Sequence, residues 1–208
     1  MSLVYIILAL VLSITLHEFM HAWVSNYLGD QTAKRQGRLT LNPIAHIDPF
    51  MTILLPVALI LAHSPVVFGA ARPVPFNPWA VRFGKWGSAL VAIAGPLTNL
   101  AIAVFFALWL RIFHLPAWSI ELFVDVITVN VAFFIFNLIP FPPLDGSRVL
   151  YAVAPLGLRE VMDRIERSGI LIFALLLFVL FPLIGPFVAA LSKDILQVLV
   201  PGLTGLSV

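Results

Sequence analysis

Three ionisable residues fall within five positions, in His17-Glu18-Phe19-Met20-His21, at the centre of an apolar run covering residues 3–28. A charged side chain at mid-bilayer costs about 2.5 to 3.5 kcal/mol on insertion scales, so a helix keeps such a cluster only if its members share partners. A divalent cation serves all three at once. The histidines are four apart, so on a helix their rings leave one face and can hold one ion, while Glu18 is set to reach a water on that ion.

The composition fits the membrane setting. Of 208 residues 61% are hydrophobic and only 11% are charged, whereas a water-facing domain carries about a quarter charged residues. No long polar stretch separates the apolar blocks, which predicts a single integral-membrane domain over 1–208, with a core at about 1–155, C-terminal helices in 156–208 and no appended soluble module. The net charge of +2 is spread over connecting segments without a dense basic run, which argues against nucleic acid as a partner. Cysteine is absent, so a metal site must be built from histidine and carboxylate. No basic residue precedes the run that starts at Leu3, and the run is too long for a cleavable signal peptide, so a retained signal anchor is expected.

Four segments are long enough to cross about 30 Å of hydrocarbon as helices: 3–28, 88–111, 121–139 and 169–190. A fifth, 49–62, has 14 residues with Pro56 in the middle and reads as re-entrant. If it does not cross, Lys34, Arg35, Arg38, Arg72, Arg82, Lys85, Arg148, Arg159, Arg164 and Arg167 share one face, opposite Arg111 and Lys193. That asymmetry favours the non-crossing arrangement and makes the basic face cytoplasmic. Between the first two spans, 37–43 and 65–69 are short pieces bounded by Gly and Pro, and 72–78 is too rich in proline to be helical. The expected fold is therefore an all-α polytopic membrane protein of about four transmembrane helices, with a re-entrant segment and a short β hairpin or sheet between the first two.

HExxH is the arrangement of zinc hydrolases: the ion acidifies a water and the glutamate takes its proton. A catalytic zinc needs a third protein ligand and an open fourth position. The candidate is Asp145, in Asn137-Leu138-Ile139-Pro140-Phe141-Pro142-Pro143-Leu144-Asp145-Gly146, where three prolines break the third predicted span as it leaves the membrane. In the non-crossing arrangement this helix end and the inner half of the first span lie at one depth. The prediction is one Zn2+ on His17, His21 and Asp145.

These motifs resemble the site-2 proteases, a family of intramembrane zinc metalloproteases. The resemblance is carried by HEFMH at 17–21, GPLTN at 95–99 and the 137–146 stretch ending in Leu-Asp-Gly, with support from GRLTLNP at 37–43, HIDP at 46–49 and RPVPFNP at 72–78. It implies His17, His21 and Asp145 as ligands and Glu18 as catalytic base. It further implies a single-pass membrane protein as substrate, such as an anti-sigma factor or a membrane-held regulator. The expected location is a bacterial or archaeal plasma membrane, with the active site nearer the cytoplasmic face.

Asn99 and Asn137 stand inside apolar segments, where an amide must find partners. An interhelical hydrogen bond would satisfy either one. A catalytic role is the alternative for both, and for Asn137 it is donation to the substrate carbonyl as it becomes an oxyanion. His46 and Asp48 read as a capped loop, and 159–167 as a solvated surface helix. Residues 39–42 or 66–68 would offer an edge to which an unwound substrate adds as a strand. Two other classes compete: a metal-ion or proton transporter, which needs no glutamate beside its first ligand, and an inactive scaffold that binds membrane proteins.

Overall fold

The computed structural model describes residues 3–61, 70–169 and 175–201. Helix α1, Leu3–Tyr27, contains neither Gly nor Pro. It stops at Gly29, whose φ of 111° suits glycine, in a Schellman turn: Asp30 N donates to Ser25 O at 3.0 Å and Gly29 N to Asn26 O at 3.1 Å. A single turn, α2 (Thr32–Arg35), follows, then the 3-10 turn Pro43–His46, the π turn Pro49–Leu54 and α3 (Leu55–Leu61). Helix α4 spans Lys85–Ile112, α5 Ala117–Asn137, α6 Asp145–Val153, α7 Leu156–Arg167 and α8 Phe181–Leu199.

Among the described residues, four stretches are long and apolar enough to cross a membrane: Leu3–Tyr27, Lys85–Ile112, Trp118–Asn137 and Pro182–Leu199. Helix α4 packs against α1, α5 and α6, so it forms the inner wall of the molecule. Ala103 and Ala107 of α4 sit against Ile127, Val131 and Ile135 of α5, because small side chains let two backbones approach where no water drives them together.

The segment from α1 to α4 begins and ends at one level, since Arg82 N donates to Leu28 O at 2.9 Å. Within it, Pro49–Leu61 is helical but too short to span. The chain is back beside its own start by residue 70: Ala70 N donates to Met51 O at 3.1 Å and Thr52 Oγ1 to Ala70 O at 2.7 Å. This is the geometry of an excursion that returns to the face it left.

The expected β hairpin or sheet is absent: the described residues contain no strand. Residues 39–41 form bends, because local side chains take the groups a ladder would use. Asn42 N donates to Thr40 Oγ1 at 3.1 Å, Ile44 N to Asn42 Oδ1 at 3.1 Å, and His46 Nε2 to Thr40 O at 2.9 Å. The other candidate edge, 66–68, lies outside the described residues. Asp48 caps the next turn, accepting from Phe50 N and Met51 N, as a capped loop requires.

The last span also differs from expectation. Leu176–Leu180 is a π turn that leads directly into α8, so the helix passes the expected end at residue 190 and stops at Leu199, while 170–174, at the expected start, lie outside the described residues. Lys193 and Asp194 look like an end in sequence, yet they are exposed while Ile195, Leu196 and Leu199 pack on the α4–α5 core. Arg111 at the end of α4 donates to Val198 O at 2.6 Å, tying the ends of α4 and α8 together. Helix α7 is the solvated helix expected around 159–167, held to α6 by an Arg148–Glu166 ion pair and by Arg159 Nε donating to Tyr151 O at 3.0 Å.

Candidate metal centre

Helical spacing on α1 brings His17 and His21 to one face, where both are buried, and their Nε2 atoms lie 2.9 Å apart. Asp145, in the first turn of α6, sets its Oδ2 3.2 Å from His17 Nε2 and 3.3 Å from His21 Nε2. The three predicted ligands thus converge from two elements.

Two glycines make the approach possible. A Cβ on Gly95 of α4 would stand 2.4 Å from His21 Nε2 and 2.6 Å from His17 Cε1, so the rings lie directly on the α4 backbone. Gly146 is equally confined: a Cβ there would meet Leu138 O at 2.3 Å, so only glycine lets α6 start beneath the end of α5. The GPLTN and Leu-Asp-Gly elements each contain one of these positions.

The donor set fits a zinc ion. His21 Nδ1 lies 2.8 Å from the carbonyl oxygen of Val91, which can only accept, so Nδ1 carries a proton and Nε2 is the nitrogen free to offer a lone pair to a metal. Asp145 Oδ2 is buried and, among the described residues, has no hydrogen-bond partner apart from the two Nε2 atoms it faces. A lone pair and a carboxylate oxygen turned towards each other at 3.3 Å call for a cation between them. Tetrahedral ligands at zinc distances stand about 3.3 Å apart, close to the observed triangle.

Glu18 follows His17 on α1 and is half-buried. The nearby loop holds Arg38, buried, with a terminal nitrogen donating to Arg72 O at 2.5 Å. Burial pushes the Arg38 guanidinium below its usual range, Arg72 adds to the shift, and Glu18 opposes it. Asn99 is fully buried on α4, with Oδ1 2.6 Å from His17 Nδ1, so it touches a predicted ligand. Asn137 is half-buried at the end of α5 and donates from Nδ2 to Phe133 O at 3.1 Å.

Sequence reasoning does not single out Asn130 or Ser13, yet both are fully buried behind Asn99. Asn99 Nδ2 lies 2.8 Å from Asn130 Oδ1, and Asn130 Nδ2 lies 2.7 Å from Ser13 Oγ. Asn130 precedes Asn137 by seven residues, so both fall close to one stripe of α5, and that spacing is the available sequence signal.

The chain is 40% identical over 196 residues to YwhC of Bacillus subtilis, a protein named as a zinc metalloprotease, with 87% of this chain and 86% of that one covered. Rip2 of Mycobacterium tuberculosis, likewise named, is 30% identical over 191 residues, covering 88% of this chain and 70% of its own. Rip2 of Mycolicibacterium smegmatis is 31% identical over 178 residues, with coverages of 84% and 66%. No family model and no solved structure matches the chain. The relatives supply the zinc and the protease chemistry, and the four apolar helices supply the membrane. The chain belongs to the site-2 protease family and is an integral-membrane zinc metalloprotease.

Proposed function

We propose that the protein is an intramembrane endopeptidase that cuts a peptide bond within or near the transmembrane segment of a membrane protein. One zinc ion would be held by His17, His21 and Asp145, with Glu18 as general base. The observation that carries this reading is the meeting of three ligand atoms, 2.9 to 3.3 Å apart, on helices apolar enough to lie in a bilayer.

When bound, the ion supplies Lewis acidity, polarising a peptide carbonyl and bringing the pKa of water towards neutrality. Glu18 accepts the proton of the attacking water and delivers it to the amide nitrogen as the C–N bond breaks. Asn137 commits one amide hydrogen to Phe133 O and has a second to offer the carbonyl oxygen as charge develops there. Asp145, in the first turn of α6, gains from the positive end of that helix and stays ionised as a ligand. The substrate is a single-pass membrane protein, such as an anti-sigma factor or membrane-held regulator. The excess of Lys and Arg on the connections nearest the site supports a cytoplasmic-facing active site in a bacterial or archaeal plasma membrane.

The test is Glu18→Gln. Zinc content should match the wild type while cleavage falls by about 10^2 to 10^4-fold, and the intact substrate should accumulate when membrane proteomes of the two strains are compared. Metal transport surviving in this variant, with no accumulating membrane protein, would move the assignment to a transporter.

A further inference from the structure

We propose that Asn130, backed by Ser13, is a positioning residue for the metal centre: it sets which way the Asn99 amide faces, and thereby keeps the Nε2 lone pair of His17 available to the ion. The inference rests on the reading of His17 as a ligand.

The argument starts at groups whose roles are fixed. Val126 O is a backbone carbonyl and can only accept, and it lies 2.8 Å from Asn130 Nδ2. Ser13 Oγ spends its hydrogen on Ala9 O at 2.6 Å, so towards Asn130 Nδ2, 2.7 Å away, it too can only accept. Both contacts demand the amide nitrogen on that side of Asn130, so Oδ1 must face Asn99. The group opposing Oδ1 at 2.8 Å must then be a donor, which makes it Asn99 Nδ2; a further acceptor, Ser13 O, lies 3.4 Å from the same nitrogen. Asn99 is left with only its oxygen for His17 Nδ1, at 2.6 Å. An oxygen there holds the imidazole proton on Nδ1, so Nε2 presents a lone pair to the site.

His21 reaches the same state through Val91 O alone. The two ligands are thus oriented by different means, one by a peptide carbonyl and one by a chain of two amides crossing from α5 through α4 to α1. Hydrogen-bond partners of metal-binding histidines commonly change affinity by about 10 to 100-fold when removed.

The experiment uses the full chain in detergent and measures zinc affinity by competition with a chromophoric chelator. Asn130→Ala should weaken zinc binding at least tenfold, because the Asn99 amide is then free to turn its nitrogen towards His17. Adding Asn99→Asp to Asn130→Ala should bring affinity back to within about threefold of the wild type, since a carboxylate presents oxygen to His17 whichever way it turns. A role in packing alone predicts no such rescue, because the second change adds a buried charge. Wild-type affinity in Asn130→Ala, or a folded double variant that does not recover, overturns the proposal. Should Asn130→Ala not fold, the imidazole nitrogen shifts of zinc-free wild type decide: a His17 Nδ1 that carries a proton supports the relay, and one that carries none overturns it. The His17→Ala variant separates the two levels of inference, since wild-type zinc affinity there would overturn the metal-site reading itself.

Discussion

Gly95 on α4 faces His21 on α1 so closely that a single methyl group there would lie 2.4 Å from the Nε2 atom. The rings of both histidines occupy the space a side chain at this position would take, so the small residue is part of the centre although it carries no ligand. Gly95→Ala is expected to push both imidazoles off the triangle, weaken zinc binding at least tenfold, and cost about 1 to 3 kcal/mol of stability through overpacking. Zinc retention on dialysis and the thermal midpoint check it; a variant equal to the wild type in both would show that α1 can move away from α4 freely.

A second glycine gives a prediction on the other ligand. Gly146→Ala sets a Cβ 2.3 Å from Leu138 O, a backbone atom that cannot rotate away, so the first turn of α6 must shift and carry Asp145 with it. Loss of zinc and of cleavage is expected. Gly157→Ala, where a Cβ meets nothing within 4 Å, is the matched control and should leave both unchanged. Equal behaviour of the two variants would separate Asp145 from the metal.

Acid stability should depend on Asp30. This buried carboxylate accepts from Ser25 Oγ, Thr32 N, Thr32 Oγ1 and Asn77 N, joining the end of α1 to the 72–78 stretch. Burial alone would raise its pKa, but the Asn77 and Thr32 bonds with that of Ser25 outweigh burial and hold it below the ordinary 3.8. A depressed folded-state pKa contributes stability that is fully present above the unfolded value and is lost as pH falls through the folded one. The wild type should therefore exceed Asp30→Asn in thermal midpoint by a constant margin near neutrality, and the margin should shrink below about pH 4. A margin that grows on acidification would contradict the assignment.

Asp125 makes the opposite prediction. It is buried in α5, and among the described residues neither carboxylate oxygen meets a hydrogen-bond partner. Such a group costs free energy in apolar surroundings, so Asp125→Leu is expected to stabilise the fold by roughly 1 to 3 kcal/mol with zinc binding unchanged. Chemical unfolding in mixed micelles measures it, and a destabilised variant would show that the carboxyl is engaged.

The meeting of His17, His21 and Asp145 is legible in sequence because each of these parts carries a rule of its own. Helical spacing fixes the face shared by His17 and His21, the cost of charge in lipid demands a cation, and the proline-broken end of α5 announces where Asp145 can turn inward. The end of α8 is not legible, because Lys193 and Asp194 look like an end when only their charge is weighed, although their neighbours face the core. The short β hairpin or sheet between the first two spans is the wrong inference from Gly and Pro punctuation, since at 37–43 that pattern does not distinguish an extended piece from bends closed by Thr40 and Asn42. Asn130 escaped notice for another reason: an amide among apolar residues reveals that it needs partners and conceals which ones.

The bond from His21 to Val91 O has an evolutionary corollary. Its acceptor is a peptide group, which every amino acid supplies, so no exchange of the residue at position 91 removes it without moving the helix. The corresponding tether of His17 is encoded in side chains, at codons 99 and 130, and is open to drift at each. Of the two histidines, His17 is where single-nucleotide change can tune the centre while leaving its ligands in place.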